Sequence, residues 1–91
     1  MENNNVIIVN FHLFTKNQDV LVYKNGQVQA HKVPLDMIVN FVYNYCVKFD
    51  IHQVDLYGGS AFTKKYQYNI REKIKENYDK NQIEVNIRTR R

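Results

Sequence analysis

Val6-Ile7-Ile8-Val9 is the stretch that most narrows what this chain can fold into. Four β-branched residues in a row favour extended backbone and leave no polar side for water. A run apolar on both sides belongs inside a sheet, with a strand on each flank. Alternation then continues to Phe14, with Val9, Phe11 and Leu13 on one side and Asn10 and His12 on the other. A central first strand is therefore expected over 6–14. Met1 to Asn5 is polar and is expected to fray.

The rest of the chain supplies that strand with neighbours. Thr15 to Asp19 reads as a polar turn and Val20 to Lys24 as a second strand. Asn25-Gly26 signals a two-residue hairpin, because a type I′ turn needs positive φ at both positions. Gln27 to Val33 alternates as a third strand, completing an antiparallel meander. Pro34 ends it and suits a helix entrance. Leu35, Ile38, Val39, Val42, Tyr45, Cys46 and Phe49 recur at helical spacing, so 35–48 is expected to be an amphipathic helix. Val54 to Tyr57 is a fourth strand, and Gly58-Gly59-Ser60 leads from it into a second helix, with Ser60 placed to cap. Phe62, Tyr66, Ile70, Ile74 and Tyr78 fall at a four-residue interval on one side of that helix. Gln82 to Thr89 alternates as a fifth strand, and 89–91 is expected to fray.

The order β-β-β-α-β-α-β predicts an α/β fold. Its mixed five-stranded sheet has the first, fourth and fifth strands parallel, and the helices pack on the sheet. A chain of 91 residues makes one domain, 1–91. Its single cysteine cannot form an internal disulfide, and no apolar run approaches a membrane span, which together point to a cytoplasmic setting. The net charge of +4 permits a nucleic-acid partner without requiring one. Abundant Asn, Lys, Tyr and Ile suit an A/T-rich coding genome, phage or bacterial.

This order resembles the ribonuclease H-like core, shared by nucleases, integrases and each half of the actin and heat-shock chaperone ATPases. The likeness is one of topology and covers almost the whole chain. Leu56-Tyr57-Gly58-Gly59-Ser60-Ala61-Phe62 looks like the strand–Gly-Gly–helix adenosine motif of the actin-like ATPases. By that resemblance Gly58, Gly59 and Ser60 would face a nucleotide. The chain departs from both branches. It has one such domain where the ATPases have two, and Val9-Asn10-Phe11-His12 carries neither their acid nor their glycine-rich phosphate loop. Asn10 stands where the nucleases place an acid on the first strand.

Several residues are candidates for function, each beside a structural reading. Gly58-Gly59-Ser60 suits an anion at a helix N-terminus, or a tight turn that needs glycine for its dihedrals. Lys64, Lys65, Arg71, Lys73 and Lys75, with Arg88, Arg90 and Arg91, suit a phosphate-binding edge on which Tyr57, Tyr66 and Tyr68 could stack bases. They equally suit a solvated helix side and tail, diluted by Glu72, Glu76 and Glu84. Phe41 and Tyr43, with Tyr45, widen the apolar arc of the first helix and suggest self-association into a homo-oligomer. His12, His31 and His52 lack ligand spacing, so neither metal nor cofactor is expected. Cys46 reads as a buried thiol. Asn10, His12 and Asp55 could meet on adjacent strands as an acid–base cluster, but no catalytic residue is assigned. The expectation is a non-catalytic binding module that self-associates, with nucleic acid as partner. The alternative is an adaptor or inhibitor of a host protein. A remnant nucleotide-binding domain of actin-like type comes third.

Overall fold

A computed structural model describes residues 5–12, 15–58 and 61–90. The strands are β1 (Val6–Asn10), β2 (Asn17–Lys24), β3 (Gln27–Pro34), β4 (Gln53–Tyr57) and β5 (Asn86–Arg90). The helices are α1 (Ile38–Phe49), entered through a 3-10 turn at Leu35–Met37, and α2 (Ala61–Lys80). They form an α/β fold around one five-stranded mixed sheet in the order β3-β2-β1-β4-β5. β1 is antiparallel to β2 and parallel to β4, β2 is antiparallel to β3, and β4 is parallel to β5. The β-branched run thus occupies the middle strand, as its two apolar sides require.

The register follows from the hairpin. Asn25 and Gly26 both take positive φ (52° and 77°), which makes the tight turn and sets Lys24 opposite Gln27. Alternation then sorts the side chains into two layers. Ile7 and Val9 lie beside Val22 and Val20 on one flank and Val54 and Leu56 on the other. All six are fully buried, together with Ile38 and Val42 of α1 and Ile74 and Tyr78 of α2. Both crossovers, β3–α1–β4 and β4–α2–β5, run the same way across the sheet, so the right-handed rule puts both helices on one side. There they also pack on each other. Among the described residues, no helix is long and apolar enough to cross a membrane.

The other side of the sheet carries no helix among the described residues. Its side chains fall into three rows. One is Lys32, Asp19, Asn10, Tyr57 and Arg90; the next is Ala30, Leu21, Ile8, Asp55 and Arg88; the third has Val28, Tyr23 and Val6 on β3, β2 and β1, and Gln53 paired with Asn86 on β4 and β5. The half over β3, β2 and β1 is largely apolar and the half over β4 and β5 is polar.

Element ends differ from the expectation where long-range pairing takes over. β1 ends at Asn10, although Phe11 N–H still donates to the Tyr57 carbonyl at 2.9 Å. Leu13 and Phe14, like Met1 to Asn4, lie outside the described residues. β2 begins at Asn17, three residues before its apolar stretch, because Asn17, Gln18 and Asp19 find partners in Pro34, Val33 and Lys32. α2 runs to Lys80, and Gln82 (φ 58°) reverses the chain while Ile83 N–H donates to the Tyr78 carbonyl at 2.9 Å. The expected strand at 82–85 is therefore a helix-ending turn and an extended lead-in. β5 starts at Asn86, and Thr89 and Arg90 belong to its ladder rather than to a frayed end.

Candidate nucleic-acid interface along the β5 edge

Among the described residues β5 pairs only with β4, which leaves it at an edge of the sheet. α2 is held beside it by Gln67, which is 6% exposed. The Gln67 Nε2 donates to the carbonyls of Leu56 and Arg90, both at 3.0 Å, tying the helix to the ends of β4 and β5. This places Lys64, Tyr68 and Arg71, spaced at helical intervals, next to the strand. Together with Gln67, Thr89 and Arg90 they line a depression of about 430 Å³. Tyr68 is 63% exposed there. Among the described residues neither Lys64 nor Arg90 enters an ion pair. Arg71 meets Glu72 at 3.2 Å, an exposed contact of small energy. Lys64 and Arg71 thus set positive charge beside an accessible aromatic ring, and Arg90 borders the depression from β5 with its side chain on the uncovered side.

The expected basic set does not stay together. Arg88 lies on the uncovered side of the sheet and grips Asp55 with two hydrogen bonds, Nε to Oδ1 and Nη2 to Oδ2, both at 3.0 Å. The Asp55 side chain is only 6% exposed, so Arg88 serves as its counter-ion. That pairing also raises the Arg88 pKa. Lys73 belongs to a separate groove of about 440 Å³ with Lys16, Asp36 and Tyr66. Lys75 sits among Glu72, Glu76, Asp79 and Lys80, where its charge is offset. Lys65 is exposed but does not line the depression. Arg91 lies outside the described residues. Of the three tyrosines, only Tyr68 joins the patch; Tyr57 is in register with Arg90 on the uncovered side.

Of the glycine turn, only Gly58 lies among the described residues. Gly58 is buried, and its N–H donates to the Arg90 carbonyl at 3.1 Å, so that amide continues the ladder and is not open to an anion. Gly59 and Ser60 lie outside the described residues. The wide arc of α1 meets the protein's own elements. Phe41 and Tyr45 pack against His31 of β3, with ring centroids 5.2 and 5.5 Å away. Tyr43 sets its edge against Tyr78 of α2 at 5.5 Å. Lys24 Nζ stands 3.6 Å over the Phe49 ring.

The acid–base cluster is not assembled. Asn10 and Asp55 share the uncovered side, but Asp55 is taken by Arg88, and His12 Nε2 is 2.6 Å from Asp19 Oδ2. Lys32 also contacts Asp19, and with His12 it lowers the Asp19 pKa. No three His, Cys, Asp or Glu residues among those described come together as a metal site. Burial pushes the Cys46 thiol up to about 11, which suits a core residue and not a nucleophile. Another hollow, about 950 Å³, lies at the opposite end of β5. It holds His52, Asp79 and Glu84, a lining ill suited to phosphate.

Two buried glutamines and the pairing of the buried Asp55 with the exposed Arg88 escaped the sequence reading. Gln18, 2% exposed, donates to the Thr15 carbonyl at 2.9 Å and accepts from His12 N–H, closing the loop between β1 and β2. Gln67 broke no pattern, since it lies between charged and apolar helix positions. Asp55–Arg88 could be found only by aligning β4 with β5. No family model matches the chain, and a search of curated proteins returns no relative.

Proposed function

We propose that this chain is a non-catalytic, cytoplasmic nucleic-acid-binding module that engages single strands along β5 and α2. The observation that carries the proposal is the joint placement of Lys64, Arg71 and the exposed Tyr68 of α2 around one depression, which Arg90 borders from β5 with its side chain on the uncovered side. Cations can follow a phosphate backbone, and an exposed ring offers a stacking platform that tolerates any base. The mixed five-stranded sheet with two helices supports a ribonuclease H-like scaffold as part of this reading, a resemblance that supplies no activity. The pairing of Asp55 with Arg88 and of His12 with Asp19 favours binding over catalysis.

The test is fluorescence anisotropy with labelled single-stranded DNA and RNA across a salt series. Contacts to three phosphates give a slope of log K against log salt near about −2 for single strands. Replacing Lys64, Arg71 and Arg90 by Ala together should flatten that slope. Tyr68→Ala should weaken binding by about 1–3 kcal/mol. Absence of binding at low salt, or binding insensitive to salt, overturns the proposal. The adaptor or inhibitor reading would then rest on the uncovered side of the sheet, where Val28 and Tyr23 are 54% and 37% exposed.

A further inference from the structure

The two sheet edges are built differently. β5 is five residues long, bears Arg88 and Arg90, and is flanked by α2. Such charges are a usual means of discouraging edge-to-edge pairing. β3 is eight residues long, and between Gln27 and Val33 its only full charge is Lys32, which is already in contact with Asp19. Residues 27–30 are all exposed. Counting from the tight Asn25–Gly26 turn, Lys24 and Gln27 exchange hydrogen bonds, and alternation points the amides of Val28, Ala30 and Lys32 away from β2. Those groups form a ready strand template.

We infer that two copies of this chain associate through β3, paired antiparallel about a two-fold axis at Ala30. In that register Ala30 faces its own copy, Val28 faces Lys32, Gln29 faces His31 and Gln27 faces Val33. The outward amides and carbonyls of Val28, Ala30 and Lys32 then make about six main-chain hydrogen bonds. No like charges oppose each other. Gln29 meets His31, a polar pair on the helix side. On the uncovered side, the row Ile8, Leu21, Ala30 continues into Ala30, Leu21 and Ile8 of the second copy, making one apolar strip across both sheets. The exposed Val28 lies against the aliphatic stem of Lys32 from the second copy. A two-fold interface needs a self-complementary surface, and β3 is one. Phe41 and Tyr45 adjoin this surface through His31, but their rings and that of Tyr43 meet partners within the same chain.

The experiment is sedimentation velocity on the full chain from micromolar to millimolar concentration, with two substitutions at one exposed position. Val28→Lys places two lysines opposite each other at both symmetric sites and should raise the dimer Kd about tenfold. Val28→Glu faces Lys32 and should leave the Kd unchanged or lower it. Amide exchange gives a second readout: Val28, Ala30 and Lys32 should exchange more slowly as protein concentration rises. Far-UV circular dichroism checks that both variants are folded. If Val28→Lys does not fold, amide exchange on the unmodified chain decides. A monomer at millimolar concentration overturns the inference. So does equal behaviour of the two variants, or exchange at β3 that is independent of concentration.

Discussion

At the exit of α1, His52 is held by two acceptors. Nδ1 is 2.8 Å from the Glu84 carbonyl oxygen and Nε2 is 2.7 Å from Asp50 Oδ1. Two acceptors favour the doubly protonated ring, so the His52 pKa is raised, first by the Glu84 carbonyl and then by Asp50. A raised folded pKa adds stability that is complete below the unfolded value of about 6.5 and is lost as pH rises through the folded pKa. We therefore expect the urea midpoint to fall as pH rises from about 6 to 8, and His52→Ala to remove that fall. Titration of the ring by NMR should show a pKa above that of an unstructured histidine. Asp19 works in the opposite sense. Its pKa is lowered by Lys32 and His12, so its contribution is present at neutral pH and lost as pH falls into the acid range. Neither role could be read from the residues alone. Asp50 is a near neighbour of His52 in the chain, but Glu84 reaches it only through the fold.

Elements were legible where the signal is local. The hairpin is the clearest case, since Asn25-Gly26 selects its turn from two residues and fixes the register of all eight β2–β3 pairs. Gly26 has open space where a side chain would go, so Gly26→Ala meets no neighbour and isolates the backbone cost of φ 77°. That cost is about 1 kcal/mol and should appear as a lower urea midpoint with an unchanged m-value. α2 shows the same legibility, with Ile70, Ile74 and Tyr78 buried at the spacing expected. Ends were less legible. The alternating stretch Ile83, Val85 and Ile87 predicts one strand, yet only Ile87 lies in the ladder. Ile83 and Val85 still pack against the core, so alternation reported burial and not hydrogen bonding. β2 reaches back into polar residues for the converse reason: a strand end is set by its partner's main chain.

For the molecule as a whole, the division into two layers separates stability from recognition among residues of one type. Arg88 and Arg90 differ by two positions, face the same side and yet carry different duties. Arg88 neutralises the nearly buried Asp55, so Arg88→Ala should lower Tm by stranding that carboxylate. Arg90 makes no ion pair among the described residues, so Arg90→Ala should leave Tm unchanged while weakening oligonucleotide binding. Differential scanning fluorimetry beside the anisotropy measurement checks both. Local periodicity determined the kind and order of the elements, and the rules for short connections then determined which strands are neighbours, because both depend on residues close in the chain. Hydrophobic alternation likewise put Val9 and Phe11 on one side of the expected first strand, and both are buried. Only the tertiary structure decided what the polar residues do. The parallel register of β4 and β5 joins Asp55 to Arg88 across 33 positions, and packing of α2 on the sheet gathers Lys64, Arg71 and Arg90 while sending Lys73 and Lys75 elsewhere. Polar contacts obey no period of their own. They are made where separate elements happen to be brought together, and that is a property of the assembled layers.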